Sequence, residues 1–207
     1  MPESVFWGWK NLKNVTIPDS VTKIGQFAFF ECTGLTNVTL PAHITEISFA
    51  CFVRSGLTSI TIPDGVTSID YYAFEHCSSL TSIMIPDSVT TICDAAFLSC
   101  SSLTSITLPN GITSIGNRVF GSCYSLTNIT IPDGIVSIGD YMFNDCQDLT
   151  VMIPATVTNI GEGAFSTIRS LTINYYGTET DWQQINIADD AFSGTFSNTV
   201  VYNYTGD

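Results

Sequence analysis

The sequence predicts a solenoid of stacked repeats, mainly β, whose strands are joined by short helical or irregular turns. Three observations predict it. A leucine recurs at Leu12, Leu35, Leu57, Leu80, Leu103, Leu126, Leu149 and Leu171, always 22 or 23 residues apart. Each leucine opens a run in which apolar and polar residues alternate, the pattern of a half-buried strand. Every run but the last ends at a proline turn, and phenylalanine and then cysteine follow most of them at a constant distance. A unit this short cannot bury its apolar face alone, so it lays that face against its neighbours. About seven 23-residue repeats and an atypical C-terminal cap account for the chain: a partial repeat over 1–11, repeats over 12–170 and a capping unit over 171–207.

Residues 5–12 overlay on 73–80, with Phe6 in the phenylalanine position and Trp9 in the cysteine position, so the sequence opens halfway through a repeat. This opening reads as a piece of a longer protein whose targeting signal lies upstream; the alternative is a natural N-terminal cap. Residues 57–79 show one full turn. Ile60 and Ile62 point inward from a strand while Ser59 and Thr61 point out. Pro63-Asp64-Gly65 forms the turn, because proline presets φ, Asp bonds its own backbone and Gly tolerates positive φ. Val66 and Ile69 face inward from a second extended run, and residues 70–77 close the circuit as a helical turn with Ala73, Phe74 and Cys77 inside. The second repeat loses a residue after Phe52 and lacks its cysteine; the seventh shortens its strand and carries Ile168 at the cysteine position. From Leu171 the pattern breaks. Residues 175–182 replace the proline turn, an amphipathic segment runs through Ile185 and Ile187, and 196–204 form a last strand. Solenoids need such a unit over the open end of the apolar stack, and Trp182 and the tyrosines read as its core.

Six basic residues face 19 acidic ones, for a net charge of -13. Such a field repels phosphate backbones and anionic lipid, which argues against nucleic-acid binding and membrane docking. The acids form no run, so solubility is their plainest role. No stretch approaches the roughly 18 to 20 apolar residues of a spanning helix, and the first residues lack the basic and apolar regions of a signal peptide.

The order of residues over 80–100, 103–123 and 126–146 resembles the BspA-like leucine-rich repeats, whose turn typically reads L-x-x-I-x-I/L-P-x-x-V/L-x-x-I-x-x-x-A-F-x-x-C. Residues 175–182 likewise resemble the Y-x-G-T-x-x-x-W cap that often closes such arrays. The resemblance covers most of the chain. It implies a leucine-rich-repeat solenoid from a cell-surface or secreted bacterial protein, commonly engaged in adhesion or host binding, with no enzymatic activity and no cofactor. Family binding surfaces do not transfer residue by residue. The partner expected is an extracellular protein or glycan; the alternative is a structural spacer without a ligand of its own.

Two surfaces are candidates for binding. The outward strand face carries Asn14, Asn37, Ser59, Ser82, Ser105 and Asn128 in one column, and Thr16, Thr39, Thr61, Met84, Thr107 and Thr130 beside it. Uncharged hydrogen-bonding groups in such an array suit a protein or glycan, although Thr and Ser also favour exposed strands and ladder with one another. Three of these asparagines sit in glycosylation sequons that the repeat already explains. Phe27, Phe30, Phe49, Tyr71 and Tyr72, with Val53 and Leu98, occupy loop positions that later turns fill with small or polar residues. Exposed, they form an interface patch; otherwise they dock missing upstream sequence or pack the circuit.

Other chemistry has simpler accounts. Five cysteines share one repeat position, and Trp9 and Ile168 fill the same slot, which marks it as an apolar socket. Cysteines spaced by whole repeats do not form a zinc motif, though stacked turns lie within disulfide reach. The turn aspartates Asp19, Asp64, Asp87 and Asp133 could hold Ca²⁺, but each also suits its turn locally. His43 and His76 lie on different sides of a repeat and no nucleophile motif accompanies them, so no metal or catalytic residue is expected.

Overall fold

The computed structural model describes residues 1–206 and is a solenoid of parallel strands, about eight turns long. The strands are β1 (Asn14–Thr16), β2 (Asn37–Thr39), β3 (Glu46–Ile47), β4 (Ser59–Thr61), β5 (Ser68–Ile69), β6 (Ser82–Met84), β7 (Thr91–Ile92), β8 (Ser105–Thr107), β9 (Ser114–Ile115), β10 (Asn128–Thr130), β11 (Ser137–Ile138), β12 (Asp148–Ile153), β13 (Asn159–Ile160) and β14 (Ser170–Tyr175). A single helical turn, α1 (Glu179–Trp182), precedes β15 (Asn186–Ile187) and β16 (Asn198–Val201). Each regular turn contributes one three-residue strand to a main sheet and one two-residue strand to a second side. The second side is the short extended run that the sequence predicts.

The core is one continuous apolar column. Its spine is a stack of rings from Phe6 through Phe29, Phe52, Phe74, Phe97, Phe120, Phe143 and Phe165 to Phe192, with centroids 5.3–5.9 Å apart and planes within 19° of parallel. Such offset-stacked pairs add to the area that each ring buries. The repeat length therefore sets ring on ring.

The loop that carries each phenylalanine is not the helical turn expected. It holds two left-handed residues four apart: Phe27 and Glu31, Ala50 and Arg54, Tyr72 and His76, Ala95 and Ser99, Arg118 and Ser122, Tyr141 and Asp145. This alternation aims every second N–H along the solenoid axis. Tyr72, Phe74 and His76 thus donate to the carbonyls of Asp94, Ala96 and Leu98 one turn on. A helix would satisfy the N–H groups within its own turn and leave the coils unjoined on this side. The left-handed residues cost about 1 kcal/mol or more each, and the third ladder offsets them. Conversely, Gly65 is absent from the positive-φ residues. The Pro63 turn closes with Val66 N–H donating to the Pro63 carbonyl, a geometry that makes no demand for glycine.

Register follows the repeat, with two departures. No strand pairing joins β2 to β4; β1 and β2 form a separate two-stranded sheet beside a seven-stranded one that runs from β4 to β16. The gap falls where the second repeat is one residue short. The seventh repeat, whose run from Leu149 to Pro154 is one residue short, makes the second. β12 is six residues long, and Asn128 pairs with Thr150, so the one-residue contraction lies between Cys146 and Thr150. At the C-terminal end, Trp182 packs edge-on against Tyr175 at 5.2 Å and faces Tyr202. Thr178 and Asp181 form a reciprocal capping box on α1. These rings cover the stack, as the sequence predicts of the cap.

Candidate functional surfaces

All twelve predicted strand-face residues are exposed, and they lie in register within β1–β2 and within β4–β6–β8–β10, on either side of the gap between β2 and β4. Met84, flanked by Thr61 and Thr107, is 74% exposed, an apolar projection on a polar sheet. The ladder between strands runs in the next column, which sequence reasoning passed over. The hydroxyls of Thr36, Thr58, Thr81 and Thr104 each donate to a carbonyl of the preceding turn, that of Lys13, Thr36, Thr58 and Thr81 respectively. By contrast, among the described residues the side chains of Asn14, Thr16, Asn37, Thr39, Ser59, Thr61, Ser82, Ser105, Thr107 and Thr130 have no hydrogen-bond partner. Asn128 alone in the two columns has one, the Thr127 hydroxyl. The outward columns thus keep their donors and acceptors for solvent or a ligand.

Two hollows mark this face. The unpaired gap between β2 and β4 is a notch of about 340 Å³ lined by Asn37, Thr39, Ser59 and Thr61, with Pro63 at its edge. A second hollow of about 420 Å³ lies between Asn110, Thr130, Asp133 and Tyr176. Tyr175 is buried, but Tyr176 is exposed and tilts against Tyr204 at 5.6 Å, so the cap supplies an aromatic group that the sequence assigns to cap core. The columns also continue beyond the predicted residues: Thr130 pairs with Met152, Met152 with Asn174 and Asn174 with Val201.

On the loop side the predicted aromatics draw together around one that was not predicted. Trp7 stacks near Phe30 at 4.5 Å and Phe27 at 5.4 Å, Phe27 meets Phe49 at 5.2 Å, and Phe49 meets Tyr72 at 5.7 Å. Phe27, Phe30 and Phe49 are half-buried in this ridge, and Trp7, Tyr71 and Tyr72 are exposed. Val53 does not belong to it. Its side chain is buried, because the shortened second repeat draws it inward.

Beyond Tyr72 the same side changes chemistry. Asp94 Oδ1 accepts from Asn117 N–H, Asn117 Oδ1 from Asp140 N–H, and Asp140 Oδ1 from Glu162 N–H, each at 2.9 Å. The residue before each donor is glycine, and a Cβ at Gly116, Gly139 or Gly161 would lie 2.2, 2.7 or 2.3 Å from the accepting oxygen. The signal was present in the sequence as Ile-Gly followed by Asn, Asp or Glu, and only stacking turns it into a ladder.

The cysteine slot is an apolar socket with one polar task. Each thiol donates to the phenylalanine carbonyl of the turn before, as Cys77 does to Phe52 at 3.1 Å and Cys100 to Phe74 at 3.2 Å. Thr195, in the same slot, sends its hydroxyl to Phe165. Trp9 is the exception, more than half exposed at the N-terminal end of the stack. All seven cysteines are free. Burial pushes the Cys77 and Cys146 thiols up to about 12, and raises Cys51, Cys100 and Cys123 well above their usual range. They are held as neutral thiols, unsuited to nucleophilic work. The aspartates Asp19, Asp64, Asp87 and Asp133 are exposed. Among the described residues, no group of three His, Cys, Asp or Glu side chains could hold a metal ion, and no helix is long and apolar enough to cross a membrane.

The sequence matches the BspA type leucine rich repeat region, in six copies, over residues 1–102 and 90–204. The chain belongs to that family. Among solved structures, this BspA-type chain is similar to a leucine-rich repeat protein from Bacteroides ovatus at 25% identity and a TM-score of 0.77, over 98% of the chain and 58% of that protein. It is similar to the leucine-rich repeat protein of T. pallidum at 30% identity and a TM-score of 0.58, over 80% of the chain and 68% of that protein. A leucine-rich cell surface protein from Faecalibacterium prausnitzii shares the fold at 24% identity and a TM-score of 0.58, over 100% of the chain and 83% of that protein. The chain thus spans little more than half the length of the Bacteroides protein. No curated protein matches it.

Proposed function

We propose that this chain is a non-catalytic, cell-surface or secreted binding module that recognises an extracellular protein or glycan through its strand face. The observation that carries the reading is the pair of outward columns whose hydrogen-bonding side chains, Asn128 apart, have no intramolecular partner among the described residues, with Met84 projecting among them. Polar groups left open beside an exposed apolar anchor are what a partner needs for both orientation and burial. A sheet that merely displayed well-tolerated strand residues would spend its hydroxyls on its own ladder, as the neighbouring threonine column does. The F. prausnitzii protein, described as a cell surface protein, supports the placement, and the family supports a role without catalysis.

The test is a binding screen of the purified chain against host matrix proteins and mucin-type glycans, with Met84→Asp and an Asn37→Ala/Ser59→Ala pair alongside. Saturable binding that weakens at least about tenfold in one variant supports the strand face. Binding that survives both variants removes this face from the reading. No binding by a folded chain favours a spacer that holds another domain away from a cell.

A further inference from the structure

The loop side holds a third hollow, of about 510 Å³, that runs from Tyr72 across the Asp94–Asn117–Asp140 ladder to Tyr141. Arg118 lines it, with its guanidinium 5.0 Å over the Tyr141 ring. The opposite support is Gly163, where a Cβ would lie 2.5 Å from Tyr141 Cε1. Tyr141 is therefore seated on backbone and holds Arg118 in place. Among the described residues the guanidinium makes no hydrogen bond and no ion pair, although Asp94 and Asp140 line the same hollow. Each ladder side chain spends one oxygen on the next turn's amide and keeps its second polar atom free: Oδ2 of the aspartates and Nδ2 of Asn117.

We propose that this hollow binds a neutral, linear oligosaccharide. The inference rests on the reading of the chain as a binding module, but not on the strand face. Sugar hydroxyls both donate and accept, and the hollow alternates acceptors (Asp94, Asp140) with donors (Asn117, Arg118) that are not consumed by one another. The groups are fixed before any ligand arrives, by the amide at the far side of each ladder residue and by Tyr141 beneath Arg118, which lowers the ordering cost of binding. Stacked turns about 4.8 Å apart present one planar polar group per step, close to the length of one pyranose unit. Tyr72 adds an aromatic surface at one end for the apolar face of a sugar ring. An anionic glycan would meet three carboxylates, those of Asp94, Asp140 and Glu162, in a chain of net charge -13, and a basic peptide would meet Arg118.

Calorimetric titration of the whole chain with linear oligomers of glucose, mannose, galactose and N-acetylglucosamine, with oligogalacturonate and with oligolysine, tests this. At least one neutral oligomer is expected to bind saturably. Asn117→Asp, which keeps the oxygen that the Asp140 amide needs, and Arg118→Ala are each expected to weaken it at least about tenfold. Met84→Asp, on the strand face, is expected to leave it unchanged. The proposal is overturned if no neutral oligomer binds, if oligogalacturonate or oligolysine binds in their place, or if neutral binding survives both loop variants. Binding lost only in Met84→Asp overturns it too while supporting the strand-face reading, so the two can fail separately.

Discussion

Raising the pH from 7 to 10 under reducing conditions should unfold most of this protein's stability margin. Six thiols are buried in the stack, and five of them, those of Cys51, Cys77, Cys100, Cys123 and Cys146, are raised strongly from 9.0 with desolvation as the leading cause. A folded-state pKa above the unfolded value means that the contribution is complete below pH 9 and is lost as pH climbs towards the folded value, near 12 for Cys77 and Cys146. At pH 10 each unfolded thiol has ionised while its folded counterpart has not, a cost of about 1.4 kcal/mol per group and about 7 kcal/mol for five. A domain's whole margin is about 5–15 kcal/mol. Urea denaturation followed by circular dichroism at the two pH values measures the loss. Cys100→Ala supplies the internal control: less stable at pH 7 through its cavity, it should lose about 1.4 kcal/mol less than the parent between pH 7 and 10. An unchanged urea midpoint at pH 10, or thiolate absorbance growing in with native dichroism intact, would refute the reasoning.

Two further perturbations test the stack and the loop. Phe97→Ala removes a fully buried ring that lies 5.3 Å from Phe74 and 5.9 Å from Phe120. It should cost about 4 kcal/mol or more in urea denaturation, and a cost under about 1 kcal/mol would show that the rings stack without supporting the coil. Ser99→Gly relieves a left-handed residue at φ 60° while keeping its N–H bond to the Gly121 carbonyl. It should leave stability unchanged or raise it by up to about 1 kcal/mol, and a loss larger than that would mean the hydroxyl has an unrecognised role.

Much of this molecule is written in its period. Recurrence of Leu, Ile, Phe and Cys at 22 or 23 residues determined the number of turns, the inward residues, the outward columns and the need for a cap. Burying one face of so short a unit leaves stacking as the only physical solution, and a side chain's place within a repeat then dictates which face it takes. What the period could not convey is which backbone geometry closes each turn. Residues 70–77 suit a helical turn locally, and it is the N–H groups seeking carbonyls in the next coil that impose the left-handed pairs at Tyr72 and His76. Nor could it say which polar atoms remain open. Thr58 and Thr61 are both exposed threonines of one strand region, yet one donates to the previous coil and the other has no side-chain partner among the described residues. Arg118, Tyr141 and Gly163 lie one repeat apart in sequence, and only stacking lays the guanidinium over the ring and the ring over the glycine. The sequence by itself determined the coil and its core, because those depend on burial within each repeat. The tertiary structure decided the surfaces, because they depend on hydrogen bonds and ring contacts between repeats.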